Sequence, residues 1–168
     1  MVMFAEGILK LHWNQSVPVD VAHIAQNMGI VLAHSPSPTA ACAHLQISLQ
    51  NQPLVTLGQH HHHERQRYAL AQALGHVALH HLRPGLERSI EVSDDFSMDM
   101  QTRTERAAHQ FALRLLIPES VLRFCVQDLA MSDLLELAHV FDVPAALMGW
   151  RLMDWPLPAP SPPSASAP

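Results

Sequence analysis

The chain has 168 residues, of which 48% are hydrophobic and 15% are charged, and its formal net charge is −5. This composition predicts one globular domain with a sizeable core, and it excludes a strongly basic surface for nucleic acid or anionic membranes. No apolar run approaches the roughly 20 residues of a membrane-spanning helix. Charges at Glu6 and Lys10 argue against a signal peptide, and Cys42 and Cys125 form no redox or metal-binding spacing, so a cytoplasmic protein is expected.

The first part of the chain predicts a helix and a small sheet. We expect a helix over residues 18–29, because apolar residues recur at helical spacing and Gly29 can end it. Residues 30–32 predict a short strand. Apolar and polar residues then alternate over 45–49, and after a polar turn an apolar run follows at 54–57. This pattern indicates a hairpin with one solvent-facing side.

The rest of the chain predicts helices. An acidic loop is expected at 87–99, and a Pro-, Ser- and Ala-rich tail at 156–168 that cannot pack and is expected to be disordered. The predicted fold class is α+β, mostly helical, with a small antiparallel sheet beside the central helix, in one domain over residues 1–155. The expected helices cover residues 65–82, 102–117, 119–128, 132–140 and 144–153.

The central helix has the spacing of a zinc peptidase helix but lacks two of its functional residues. In such helices, H-E-x-x-H places two histidines one turn apart on one face, where they share a metal ion, and the glutamate is the general base. The five positions here are Gln72, Ala73, Leu74, Gly75 and His76. Only the second histidine is present, so the first ligand position is an amide and the base position is a methyl group.

Four segments, taken in order, resemble the ImmA/IrrE family of bacterial zinc peptidases. The resemblance implies a zincin-like domain and a zinc endopeptidase that cuts helix-turn-helix repressors in the cytoplasm. By that cleavage, members of the family switch on phage-like, mobile-element or stress genes. The segments are P-V-D-V-A-H-I-A-Q-N-M-G-I at 18–30, R-x-R-Y-x-L-A-x-x-L-G-H-x-x-L-H at 65–80, E-R-A-A-H-Q-F-A-L-R-L-L-I-P at 105–118 and the stretch 137–152.

Carried over residue by residue, the resemblance implies that Gln72 and His76 occupy the positions of the two histidine ligands. It also puts Ala73 at the general base and Glu105 at the third zinc ligand. His109, one helical turn after Glu105, could replace the lost ligand, or it could be a half-buried histidine bonded to a backbone carbonyl. The candidate metal ligands are therefore His76, Glu105 and His109, and their zinc binding is expected to be weak or vestigial. No catalytic residue is expected.

Two further histidine groups have alternative interpretations. His80 lies one turn after His76, so the pair could form a displaced metal site, although support of the core is the simpler reading. The run His60–His63 could chelate a metal ion, but a solvated loop is the simpler expectation.

Residues 132–152 have the rhythm of a helix-turn-helix. A recognition helix offers arginine, lysine, glutamine or asparagine to base edges, whereas Arg151 is the one such residue in the second helix of this segment. Direct contact with nucleic acid is therefore not expected.

The sequence thus predicts a catalytically degenerate ImmA/IrrE-type protein that acts as a regulatory binding module. Its expected partner is a helix-turn-helix repressor or a toxin–antitoxin component, bound in a retained cleft. The alternative is an active zinc endopeptidase with a rearranged site of His76, Glu105 and His109. Positions 72 and 73 are expected to be partly exposed. The double change Gln72→His and Ala73→Glu should therefore rebuild a zinc site with little effect on stability.

Overall fold

The structure is a computed structural model that describes residues 2–36, 41–48, 50–82, 89–92 and 102–155. The predicted tail and most of the predicted acidic loop lie outside these residues. The helices are α1 (Val2–His12), α2 (Val21–Asn27), α3 (His63–Ala78), α4 (Arg103–Leu116), α5 (Glu119–Arg123), α6 (Leu134–Phe141) and α7 (Ala145–Asp154). The strands are β1 (Val31–Ser35), β2 (Ala43–Ile47), β3 (Pro53–Gly58) and β4 (Ser89–Val92), and a π-helical turn, Phe124–Asp128, continues α5.

The predicted α+β class, mostly helical with a small sheet, is confirmed. The expected hairpin is formed by β2 and β3, which pair antiparallel with Leu45 opposite Val55. The sheet is wider than the hairpin and is mixed, because β1 joins β3 in parallel and β4 joins β2 antiparallel, in the order β1-β3-β2-β4. Leu45, Val55 and Leu57 turn their side chains into the core, so one face of the sheet covers the helices.

The helix expected at 18–29 is α2, and its start differs from the expectation. Asp20 caps the helix, since its side chain accepts a hydrogen bond of 2.9 Å from the backbone N–H of His23. Pro18 therefore precedes the helix instead of lying in its first turn. The predicted end is confirmed: Gly29 has φ +76°, a left-handed conformation that glycine adopts without steric cost.

The central helix α3 ends one turn before the predicted end. Helical backbone stops at Ala78, and His80 has the left-handed φ of +54°. His80 is exposed and His81 is the residue that turns back toward the helix. Both interpretations of His80, as part of a displaced metal site and as support of the core, are therefore wrong, because they required a helix that continues to residue 80.

The helices α3 and α4 pack closely against each other. At Gly75 a β-carbon would lie 3.1 Å from both the Cα and the carbonyl oxygen of Ala108 and 3.1 Å from Cδ1 of Phe111. Only glycine therefore permits this approach without displacement of α4. Ala108, Phe111, Ala112, Leu115 and Leu116 recur at helical spacing along α4 and are all buried. The unpredicted helix α1 packs against the same helix.

The three short helical segments expected near the end of the chain are confirmed. Asp142, in the left-handed conformation with φ +52°, makes the turn between α6 and α7. Arg151 of α7 is only 2% exposed, and its Nε donates to the carbonyl oxygen of Ile117 at 3.3 Å. The side chain that a recognition helix would have needed is thus part of the core. Among the described residues, none of the helices has the length and apolar character required to cross a membrane.

Candidate functional site

The residues at the H-E-x-x-H positions of α3, Gln72, Ala73 and His76, lie inside the protein. Tyr68, Gln72 and His76 follow each other at intervals of four residues along α3 and therefore share one helix face. Gln72 is 6% exposed and Ala73 is fully buried. The expectation that positions 72 and 73 are partly exposed is therefore wrong. The tight packing of α3 against α4 and the sheet covers them.

His76 is a buried, neutral imidazole. Its side chain is 2% exposed, and burial followed by the nearby His81 lowers its pKa from 6.5 to about 4. The Nδ1 atoms of His76 and His81 are 3.1 Å apart, so one ring donates its N–H to the other. A neutral imidazole is the form that binds metals, and His76 is thus chemically able to act as a ligand. Spacing along a helix did not reveal His81, because it lies beyond the helix end.

Glu105 is held at the start of its own helix. Its Oε2 accepts the backbone N–H of Thr102 at 3.1 Å, while its own N–H is donated to Oγ1 of Thr102 at 3.2 Å. These two bonds form a reciprocal capping box. The sequence contains the signal for it, T-x-x-E before an apolar stretch. The carboxylate at the family's third ligand position thus stabilises the start of α4.

His109 pairs with a side chain of the facing helix. It is 7% exposed, its Nδ1 lies 2.7 Å from the hydroxyl oxygen of Tyr68, and its ring meets that of Trp150 edge to face. Burial lowers its pKa, and the negative charge of Asp154 partly opposes this shift. The non-metal interpretation of His109 named a backbone carbonyl as its partner, whereas the structure provides the phenol of Tyr68.

These residues do not fit a catalytic zinc ion as they are arranged. Zinc requires at least three donors of the histidine, cysteine or carboxylate type. The ligand atoms of His76, Glu105 and His109 do not all lie within 4.8 Å of one another in the part of the chain that the structure describes. The amide oxygen of Gln72 is buried without a hydrogen-bond partner there, but a neutral amide oxygen is a poor zinc ligand.

A different set of donors meets at the opposite end of α3. Within the described ranges, the one group of three metal-type side chains whose ligand atoms lie within 4.8 Å of one another is His63, Glu64 and Asp142. The ring Nε2 of His63 is 2.6 Å from Oδ1 of Asp142. The run His60–His63 is thus not only a solvated loop, because its last member begins α3 and contacts the turn after α6.

Comparison with known families agrees with this architecture. The family model of the IrrE N-terminal-like domain, Peptidase_M78, matches residues 25–153. This range contains the sheet, the two central helices and the last helical pair. No individually curated protein shows a significant match to the chain.

Proposed function

Because this chain belongs to the family of IrrE N-terminal-like domains and has its metallopeptidase fold, we propose that it is an inactive member that acts by binding. The observation that carries the proposal is the state of the H-E-x-x-H positions. The first ligand is the buried amide of Gln72, and the base position is the fully buried methyl group of Ala73. Neither position offers the chemistry that a zinc peptidase uses.

The loss of the base alone has a large effect on rate. General acid–base assistance contributes roughly 100- to 10,000-fold in enzymes, and the methyl group of Ala73 supplies none of it. The donors at the family's zinc positions are also reduced, because Glu105 is engaged in its capping box. A protein with this arrangement can retain the fold and its surface while peptide hydrolysis is lost.

The proposed partner is a helix-turn-helix repressor or a toxin–antitoxin component. The support is the resemblance to a family whose members act on such repressors, since an inactive relative can bind the same class of protein without cutting it. Binding would sequester the partner or block its access to DNA. The burial of Arg151, the one basic side chain of α7, supports a protein partner over nucleic acid.

The competing function is a zinc endopeptidase built on His76, Glu105 and His109. It requires Glu105 to release Thr102. His109 must either release Tyr68 or bind the metal through its other ring nitrogen, Nε2. A rearrangement of this kind breaks the capping box. It also breaks the 2.7 Å bond between Nδ1 of His109 and Tyr68, unless His109 binds the metal through Nε2.

The test uses the purified full chain and a helix-turn-helix repressor or antitoxin encoded next to its gene. We expect a stable complex by size-exclusion chromatography and isothermal titration calorimetry. We expect no cleavage by mass spectrometry, with or without added Zn²⁺ or Mn²⁺. Cleavage that a chelator abolishes and that His76→Gln or Glu105→Gln removes would establish the competing function. If the partner is neither bound nor cut, the assignment of the partner class is wrong.

A further inference from the structure

We propose that His63, Glu64 and Asp142 form a binding site for a divalent transition-metal ion, with Zn²⁺ as the representative ion. The bound ion would connect the start of α3 to the turn between α6 and α7. The site lies outside the H-E-x-x-H positions and does not depend on the proposed binding function.

The geometry brings three donors together from distant parts of the chain. His63 and Asp142 are 79 residues apart, and their Nε2 and Oδ1 atoms are 2.6 Å apart. All three ligand atoms lie within 4.8 Å of one another. Two ligands on a tetrahedral zinc ion, with bonds of about 2.0–2.2 Å, are about 3.5 Å apart. Small side-chain rotations therefore suffice, and the exposed His63 side chain has room for them.

Asp142 is already fixed in place by a second residue. The Nε of Arg67 lies 3.1 Å from Oδ2 of Asp142 and donates to its backbone carbonyl oxygen at 3.2 Å. The left-handed backbone of Asp142, with φ +52°, fixes the turn that carries it. One carboxylate oxygen is thus held by Arg67 while the other faces His63. A hydrogen bond to the far oxygen of a ligating carboxylate is a common support of metal sites.

The charges of the site favour a cation on balance. The positive end of the α3 dipole and the guanidinium of Arg67 oppose a metal ion. The carboxylates of Glu64, in the first turn of α3, and Asp142 offset both. A metal ion at Nε2 of His63 would replace the hydrogen bond between that atom and Oδ1 of Asp142.

The donor types select the class of metal. One imidazole and two carboxylates suit zinc, copper and nickel, whereas magnesium and calcium prefer oxygen donors alone. A cavity of about 610 Å³ borders Glu64 and is lined by His60, His61 and His62 on one side and by the start of α7 on the other. It leaves space for water or a further ligand, and His62 is close, with its Nδ1 4.0 Å from Oε2 of Glu64.

The experiment measures Zn²⁺ binding to the metal-free full chain by isothermal titration calorimetry, together with the melting temperature. We expect one site per chain. Either His63→Gln or Asp142→Asn should weaken binding at least about tenfold, because each removes one of three ligands. Asparagine tolerates the left-handed conformation, so Asp142→Asn keeps the turn. Saturating Zn²⁺ should raise the melting temperature of the wild type, since only the folded chain brings the three donors together.

The matched controls separate this site from two other places where zinc could bind, the histidine run and the family's ligand position. The triple variant His60→Gln, His61→Gln, His62→Gln keeps the three proposed ligands, and we expect its affinity to stay within about threefold of the wild type. His76→Gln should not change the affinity at all. If the triple variant loses binding while Asp142→Asn binds as the wild type does, the histidine run is an adventitious chelator and the proposal is wrong. Loss of binding on His76→Gln alone would assign the ion to the family position and also overturn it.

Discussion

The two ends of α3 carry similar side chains in opposite environments. At its start, His63 and Glu64 are accessible and meet Asp142 from a distant turn. In its second half, Gln72 and His76 are buried, and His76 contacts His81, which follows the helix. Side chains that can bind a metal converge at the accessible end. At the family's ligand positions, His76, Glu105 and His109 are each hydrogen-bonded to another residue. The amide oxygen of Gln72 has no partner among the described residues.

The comparison shows that residues at the family's ligand positions have packing and capping roles in this chain. His109 is bonded to Tyr68, and Glu105 caps α4. A buried polar group without a partner is costly, so each of these contacts stabilises the metal-free domain. The buried half of α3 should therefore respond to substitution as a core, and its exposed start should respond as a surface.

The largest expected effect is that of Ala73→Glu. Because position 73 is fully buried, the change adds volume and a carboxyl group without a partner, and we expect a loss of at least ~3 kcal/mol in the free energy of unfolding. Urea denaturation measures it. Ala22→Glu is the control: Ala22 is exposed in the first turn of α2, and its substitution should stay within about 0.5 kcal/mol of the wild type.

The burial of position 73 also changes the expected stability of a variant with a rebuilt zinc motif. The double variant Gln72→His, Ala73→Glu should be strongly destabilised when metal-free, in contrast to the small effect that the sequence suggested. If it is as stable as the wild type, positions 72 and 73 line an open cleft in solution.

The next effect is a pH dependence that originates in the buried half. His76 has a pKa lowered from 6.5 to about 4, so between these values the unfolded chain takes up a proton that the folded chain excludes. Its contribution to stability is fully present above pH 6.5 and decreases as the pH falls toward 4, by at most ~3 kcal/mol. The lowered pKa values of His81 and His109 act in the same direction.

Urea denaturation at pH 7 and pH 4.5, with a chelator present, measures this dependence. His76→Gln should remove a large part of the difference between the two pH values. His139→Gln, which alters an exposed histidine of α6, should leave it unchanged. Equal pH dependence in the wild type and His76→Gln would show that His76 is accessible to protons in the folded state.

The smallest expected effect comes from the capping box. Thr102→Ala removes the acceptor for the backbone N–H of Glu105, and we expect a loss of about 1 kcal/mol in the free energy of unfolding. Arg106→Ala, at an exposed position of α4, should cost less than about 0.5 kcal/mol. Zinc titration of Thr102→Ala adds a second measurement. A new site that depends on both Glu105 and His76 would show that the capping box alone keeps the family site apart.

Local sequence patterns determined much of this protein. Helical spacing of apolar residues predicted the helices from α2 onward, and alternation predicted the β2–β3 hairpin. That Gln72 and Ala73 stand where H-E-x-x-H has histidine and glutamate was also evident from the sequence, because both positions lie in one short motif. The capping box at Thr102 was equally local and could have been recognised from T-x-x-E.

Only the tertiary structure decided which donors meet. Because α3 ends at Ala78 and His80 has a left-handed backbone, His81 and not His80 lies next to His76. The approach of α4 at Gly75 determined that positions 72 and 73 are buried. The contact of His63 with Asp142 joins residues 79 positions apart. Periodicity describes neighbours within one element, whereas contacts of this kind depend on how the elements pack against one another.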